Sequence, residues 1–134
     1  MAISIDKHMA LYQNALELRS QRASVLANNI ANADTPGYKA RDLDFQQMLR
    51  ARMGETSELT PAATTHQRHF STLPQGEALS GLKYRNPSQP AIDGNTVDGQ
   101  TEKTAYARNS MEFQAAFRFL NGKVKSLLSA IRGE

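Results

Sequence analysis

The 134-residue sequence contains no cysteine and no tryptophan. Without cysteine the chain has no disulfide and no thiolate chemistry, and this composition is compatible with any compartment. No stretch approaches the roughly 18 consecutive apolar residues of a transmembrane helix, so we predict no direct membrane span. Residues 1–20 also lack the roughly 7–15-residue apolar segment of a cleavable secretion signal, and we therefore expect no such signal.

A strong charge imbalance is also missing. The 16 basic and 13 acidic residues leave a formal net charge of +3, and the two signs are interspersed along the chain. Nucleic-acid-binding proteins usually concentrate Lys and Arg in one patch, and no such run occurs here. We therefore predict no nucleic-acid partner, while the isoelectric point of about 9.4 keeps a basic helical nucleic-acid-binding protein as the alternative from another class.

Residues typical of catalytic and metal sites are sparse and poorly spaced. His66 and His69 form an H-x-x-H pair, but they lie in a polar segment with no third ligand, so we interpret them as solvated histidines. The segment DGNTVDG begins like a calcium loop, yet Val97 and Thr104 stand where that loop needs oxygen ligands. Nucleotide-binding and nucleophile-elbow patterns are absent. The sequence thus predicts a protein that is not an enzyme and holds no metal and no cofactor.

Apolar residues are concentrated at the two ends of the chain. Residues 1–53 and 97–134 carry most of the Leu, Ile, Val, Met and Phe, whereas residues 54–96 are rich in Thr, Ser, Pro, Gly and Gln. This distribution predicts a mainly α-helical fold in three parts: an N-terminal helix within residues 1–35, an intermediate region over residues 36–96, and a C-terminal helix within residues 97–134.

The N-terminal helix is predicted by apolar residues at intervals of three and four, the spacing of one helix face. A second line of apolar residues that includes Leu18 widens this face. Pro36 forces Thr35 out of the helical region, and the pair Pro36-Gly37 is typical of the centre of a type II turn, so we expect the helix to end there. The stripe includes Leu16, Leu26 and Ile30.

The C-terminal helix is predicted by a more regular pattern, with apolar residues in alternating steps of four and three. This spacing favours an antiparallel coiled-coil hairpin with the N-terminal helix, and an ordinary amphipathic helix within one domain is the alternative. The segment GQTEKTAYARN, which precedes this pattern, is polar. The pattern runs through Phe113, Phe117, Leu120, Val124, Leu127 and Ile131.

The intermediate region shows weaker patterns. The segment DLDFQQMLRARM favours a short helix after the turn, and residues around Tyr84 favour a short extended piece. A further turn is expected at Asp93-Gly94. The rest of residues 54–82 is expected to be irregular because it contains few β-branched and aromatic residues.

The runs ANNIAN at 27–32 and TPGYK at 35–39 resemble the N-terminal signature of the bacterial flagellar rod, hook and hook-associated axial proteins. Within this family the segments YKARDLDF and YRNPSQPAIDGNTVD, together with the short chain, are similar to the proximal rod subunits. In such proteins the terminal helices pack together as an inner coiled-coil tube. Members often have apolar residues early in the C-terminal helix, where this chain reads GQTEKTAYARN, so the resemblance implies a helix that starts later or sits loosely at the outside of the rod. The Asn-rich turn lies where the helix end of one subunit meets its neighbours.

The resemblance implies a structural subunit of the basal-body rod that transmits torque from the rotor to the hook. It also implies export without a cleavable signal through the flagellar type III apparatus and assembly in the periplasm. The implied partners are its own copies, other proximal rod proteins, the basal adaptor between rod and membrane ring, and the export gate. The sister proximal rod protein is the alternative within the family.

Three asparagines near the helix end need a compensating interaction, because Asn is a poor interior helix residue. We expect neighbouring subunits to contact Asn28 and Asn29, while Asn32 has local capping of its own helix as an alternative. Because the two helices share a thin interface, the free subunit is expected to be largely disordered at its ends. The full predicted subunit interface comprises Leu16, Leu26, Asn28, Asn29, Ile30, Asn32, Thr35, Pro36, Gly37, Tyr38, Phe113, Phe117, Leu120, Val124, Leu127 and Ile131.

Overall fold

The computed structural model describes residues 5–54, 81–87 and 91–133. Within these residues the chain forms helix α1, strand β1, helix α2, strand β2 and helix α3 in that order. A mainly helical fold with two long terminal helices and a short helix between them is thereby confirmed. Their bounds are Ile5–Ala31 for α1, Arg41–Leu43 for β1, Phe45–Arg52 for α2, Leu82–Tyr84 for β2 and Gly99–Arg132 for α3.

Helix α1 ends shortly before the predicted turn. Gly37 has a φ of +73°, and the Tyr38 N–H donates to the Thr35 carbonyl over 3.3 Å, as a type II turn requires. The second predicted turn is also present, since the Gly94 N–H donates to the Ala91 carbonyl over 3.0 Å. The chain therefore reverses at both positions that the sequence indicates.

Strands β1 and β2 form a two-stranded antiparallel sheet. Arg41 lies opposite Tyr84, and Leu43 lies opposite Leu82. The extended piece predicted around Tyr84 is strand β2, whereas the sequence pattern does not predict its partner β1. Asp44 then caps α2 by accepting a hydrogen bond from the Gln47 N–H over 3.1 Å.

Helix α3 begins at Gly99, so the expectation of a late start is wrong. Asp98 caps the helix because one of its carboxylate oxygens accepts from the N–H groups of Gln100 and Thr101 at 3.0 and 3.3 Å. The first turns are also anchored by Glu102, which is buried against other parts of the chain. A polar anchor replaces the apolar contacts whose absence had suggested a loose start.

Among the described residues the buried core is small, and half of its residues are polar. The largest contact between elements is that of α1 with α3, and α1 also packs on α2 and β1. Leu18, from the second apolar line, is among the most buried side chains. Apolar burial alone thus does not account for the fold. The buried apolar residues are Leu18, Leu26, Ala40 and Leu43, and the buried polar ones are Asn29, Asn95, Glu102 and Asn109.

His66, His69 and most of the segment that the sequence predicts to be irregular lie outside the residues that the structure describes. None of the helices in the described ranges has the length and apolar character needed to cross a membrane.

We expect Gly37→Val to lower the free energy of unfolding by about 2 kcal/mol, because a β-branched residue is strained at positive φ. No atom lies within 4 Å of a Cβ built at this position, so a steric clash would not be the cause. Urea denaturation of Gly37→Val and of Gly37→Asn tests this, since Asn tolerates the left-handed conformation better. Equal losses in the two variants would contradict the assignment to backbone strain.

Candidate subunit interface and its supporting polar network

Asn29 provides the interaction that compensates for an asparagine inside α1. Its Oδ1 accepts from the Arg41 N–H over 3.2 Å and its Nδ2 donates to the Arg41 carbonyl over 2.6 Å. The side chain thus pairs with β1 as the backbone of a neighbouring strand would. Nδ2 also donates to Glu102 over 3.1 Å, and the Tyr38 hydroxyl donates to Oδ1 over 3.4 Å. These bonds join α1, β1 and α3.

A continuous ionic network lies beside Asn29. Arg22 donates to both carboxylate oxygens of Asp42, at 2.8 and 2.9 Å, which is the strong bidentate arrangement. Arg85, which follows β2, contacts Asp42 and also donates to Glu102 over 2.6 Å. Glu102 is only 1% exposed, so its carboxylate is buried. Inside the protein the charge of Arg85 balances that of Glu102, and Asn29 donates a hydrogen bond to the carboxylate. The network connects four separate parts of the chain.

The electrostatics of this network favour the charged state of Asp42. Burial by itself would raise the pKa of Asp42, but hydrogen bonds from Arg22, the Leu43 N–H and Arg85 outweigh burial and hold that pKa below its usual value. The pKa of Arg22 is raised, first by its hydrogen bond to Asp42, which exceeds the opposing effect of burial. Both groups therefore stay ionised and paired near neutral pH.

Asn95 holds the end of α1 in place. Its Nδ2 lies 2.8 to 3.1 Å from the carbonyl oxygens of Asn32, Ala33 and Thr35, at the end of α1 and in the turn that follows it. Its Oδ1 accepts from the Val97 N–H over 2.8 Å. Asn95 thereby links the turn after α1 to the segment that leads into α3.

The other two asparagines of the signature differ from Asn29. The side chain of Asn28 is exposed, whereas Asn32 donates to the Asn28 carbonyl over 2.8 Å and accepts from the Thr35 hydroxyl over 3.2 Å. For Asn32 this is the local capping role that the sequence left open. Among the three, Asn28 is the most exposed, and its contact with a neighbour stays a prediction.

A surface groove of about 520 Å³ lies between the end of α1 and the sheet. It is lined by signature residues and by Arg41 and Tyr84, which lies 64% exposed. The Arg41 guanidinium lies 5.0 Å from the centre of the Tyr84 ring and donates to its hydroxyl over 3.1 Å. The two side chains together form one edge of the groove, which is both cationic and aromatic. The signature residues in the groove are Asn28, Asn29, Gly37, Tyr38 and Lys39.

The predicted interface residues divide into exposed, half-buried and buried groups. Leu26 and Asn29 are fully buried within their own chain, so their contact with a neighbour stays a prediction. Exposed residues are Asn28, Thr35, Pro36, Gly37, Phe113, Phe117 and Ile131. Half-buried residues are Leu16, Ile30, Asn32, Tyr38, Leu120, Val124 and Leu127.

Sequence reasoning missed the residues that support this surface. Arg22, Asp42, Arg85 and Glu102 are far apart in sequence and carry no common spacing, so only the fold brings them together. Asp42 and Arg85 do lie in the segments that resemble the proximal rod subunits, which is the one signal that marks them. No cluster of three or more potential metal ligands occurs in the described part of the chain.

Asn29→Ala should lower the free energy of unfolding by about 1–3 kcal/mol, because it leaves the Arg41 N–H and carbonyl without the Asn29 side chain and removes one of the two hydrogen-bond partners of the Glu102 carboxylate among the described residues. Asn28→Ala is the matched control, since it removes the same amide from an exposed neighbouring position. Urea denaturation of both variants measures the difference. Similar losses would show that the bonds of Asn29 do not stabilise the subunit.

The lowered pKa of Asp42 predicts acid sensitivity. Its folded pKa lies below the unfolded value of about 3.9, so its stabilising contribution is present above that pH and is lost as the pH falls through the folded pKa. Asp42→Asn should therefore flatten the decline of unfolding free energy below about pH 4. Asp34→Asn, at an exposed position, is the control. An unchanged acid profile in Asp42→Asn would contradict this role.

Comparison with known proteins identifies the family. Residues 11–39 match the model of the flagella basal body rod protein family, and this range covers most of α1 and the turn after it. The chain is 48% identical to flagellar basal body rod protein FlgB of Aeromonas hydrophila, covering 100% of this chain and 99% of the relative. It is 39% identical to FlgB of Escherichia coli K12, with 98% of each chain covered, and 40% identical to FlgB of Cereibacter sphaeroides, with 94% of each covered. The chain therefore belongs to the FlgB family of flagellar basal body rod proteins, which are structural subunits of the rod.

Proposed function

We propose that the chain acts without catalysis as a proximal rod subunit whose α1 and α3 helices pack against neighbouring subunits and transmit torque toward the hook. The observation that carries this proposal is that apolar side chains spaced at steps of four and three along α3 include large ones that the subunit itself leaves uncovered. Phe113 is 37% exposed, Phe117 55% and Ile131 80%. Exposed apolar surface of this extent on one helix is typical of an interaction site.

Within the subunit, α1 and α3 form an antiparallel coiled-coil hairpin. Asn29, near the end of α1, contacts Glu102 near the start of α3. Arg19, earlier in α1, contacts Asn109 and Glu112, which come later in α3. The order of contacts is therefore reversed along the two helices, which supports antiparallel packing.

The α3 apolar stripe is the set Phe113, Phe117, Leu120, Val124, Leu127 and Ile131. Its members repeat at steps of four and three, so they lie on one side of the helix. Leu120, Val124 and Leu127 are half-buried, while Phe117 and Ile131 are exposed. Burying a phenylalanine side chain contributes about 1.5–3 kcal/mol, so a few such contacts from neighbouring subunits favour assembly strongly.

A second contact surface lies at the turn after α1. Thr35, Pro36 and Gly37 are exposed beside Asn28, and the groove next to them is formed in the free subunit. Asn95 donates a hydrogen bond to the Thr35 carbonyl, and Asn29 accepts one from the Arg41 N–H. The backbone is therefore held on both sides of this turn. A surface that is rigid before binding loses little entropy when a neighbour docks.

Family membership supports the wider assignment. The partners are copies of this chain, other proximal rod proteins, the basal adaptor between rod and membrane ring, and the type III export gate. The site of assembly is the periplasmic part of the basal body, and export proceeds without a cleavable signal. Deletion of the gene should abolish motility and rod assembly, whereas normal flagella in the deletion strain would overturn the assignment.

Phe117→Ser should abolish motility when it replaces the wild-type protein, while the free energy of unfolding of the free subunit changes little because Phe117 is half exposed. Met111→Ser is the control, since Met111 is 64% exposed and lies roughly 120° around the helix from Phe117 at about 100° per residue. Swimming assays and electron microscopy of basal bodies measure the outcome. Wild-type motility of Phe117→Ser would show that the stripe does not contact a neighbour.

In the free subunit we expect amide hydrogen exchange to be slowest near the polar network, in residues 18–29 and 102–112. Exchange should be faster over residues 113–131, where the apolar stripe lacks neighbours. Assembly supplies the missing burial and should slow exchange there. Strong protection over residues 113–131 in dilute subunit would contradict coupled ordering of this part of α3.

A further inference from the structure

Asn109 is a buried amide in the contact between α1 and α3. It is 1% exposed, and its Nδ2 donates to the Arg19 carbonyl in α1 over 2.8 Å. Its Oδ1 is also buried and has no hydrogen-bond partner among the described residues. Half of this amide is therefore buried without compensation, which is unfavourable for stability.

Asn109 lies in the part of α3 that contacts α1 through polar side chains. Glu102 lies one heptad earlier on the same side of α3 and is also buried against α1. The first part of α3 thus contacts α1 through polar side chains that form hydrogen bonds with specific groups of α1. The second part carries the α3 apolar stripe, and apolar contacts are not directional.

We propose that Asn109 determines the specificity of helix pairing, so that α3 pairs with α1 in one register. This inference rests on the antiparallel hairpin proposed above. Every copy presents the same apolar stripe, so apolar contact alone permits shifted registers and pairing between copies. A buried asparagine favours the arrangement in which its amide reaches a partner, and in coiled coils such a residue fixes register and oligomeric state while lowering stability.

The test is Asn109→Leu, which removes the unpaired oxygen and adds apolar surface. We expect its urea midpoint to rise and oligomers to appear with increasing concentration in size-exclusion chromatography with light scattering. Spin labels report the register, since the chain has no cysteine and the substitutions Ser20→Cys and Gln114→Cys give a unique pair. These two residues line one cavity of about 400 Å³ with Asn109.

In the otherwise unchanged protein the label pair should show one narrow distance. In Asn109→Leu a second distance should appear, because a shift by one heptad moves the helices by about 10 Å at 1.5 Å per residue. Ser110→Leu is the control, since it adds leucine at the neighbouring position and retains Asn109. It should stay monomeric with one distance.

Several outcomes would overturn the inference. A lower urea midpoint for Asn109→Leu would mean that the bond to Arg19 stabilises more than the buried oxygen costs. A monomer with one distance would mean that other contacts already fix the pairing. Oligomers of Ser110→Leu would assign the effect to added apolar surface. A broad distance distribution in the protein with Asn109 would overturn the hairpin itself, and the role of Asn109 with it.

Discussion

The pairing of the Asn29 carboxamide with the backbone of Arg41 is the interaction on which the rest of the structure depends. It places β1 against α1, and this position brings Asp42 to Arg22. Through Asp42 and Glu102, Arg85 then joins the segment after β2 to α3. Because an unpaired buried amide or carboxylate is costly, each of these groups needs the others in place. A small protein with few buried apolar residues thus obtains a defined fold from polar contacts.

The two parts of α3 consequently have different roles. Its first part is joined to its own chain by Glu102 and Asn109, while its second part carries apolar side chains that remain partly uncovered. Hydrogen bonds and ion pairs in a buried site select their partners by geometry, whereas apolar surface gains free energy from any good contact. The subunit therefore keeps its directional contacts inside, and the proposed function assigns its exposed non-directional contacts to assembly.

Sequence patterns predicted the helices, both turns and the apolar stripe because these features depend on local spacing and on residues such as Pro36 and Gly37 with restricted or unusual backbone conformations. They did not predict β1, a three-residue strand whose partner lies about forty residues away and whose other edge is satisfied by a side chain. The sequence patterns also did not predict the ionic network, because Arg22, Asp42 and Arg85 meet only in the folded chain. Asn29 was identified as unusual, but its partner within the chain was not.

The arrangement implies an order of events during assembly. Contacts within one chain form at a rate that does not depend on subunit concentration, whereas contacts through the apolar stripe require neighbours. If the polar contacts of Asn29, Glu102 and Asn109 form first, they fix the direction in which Phe117 and Ile131 point before any neighbour arrives. A chain whose core was apolar throughout would have no such preference among helix registers. In the proposed rod subunit, the polar core would thus orient the exposed apolar side chains before identical subunits meet.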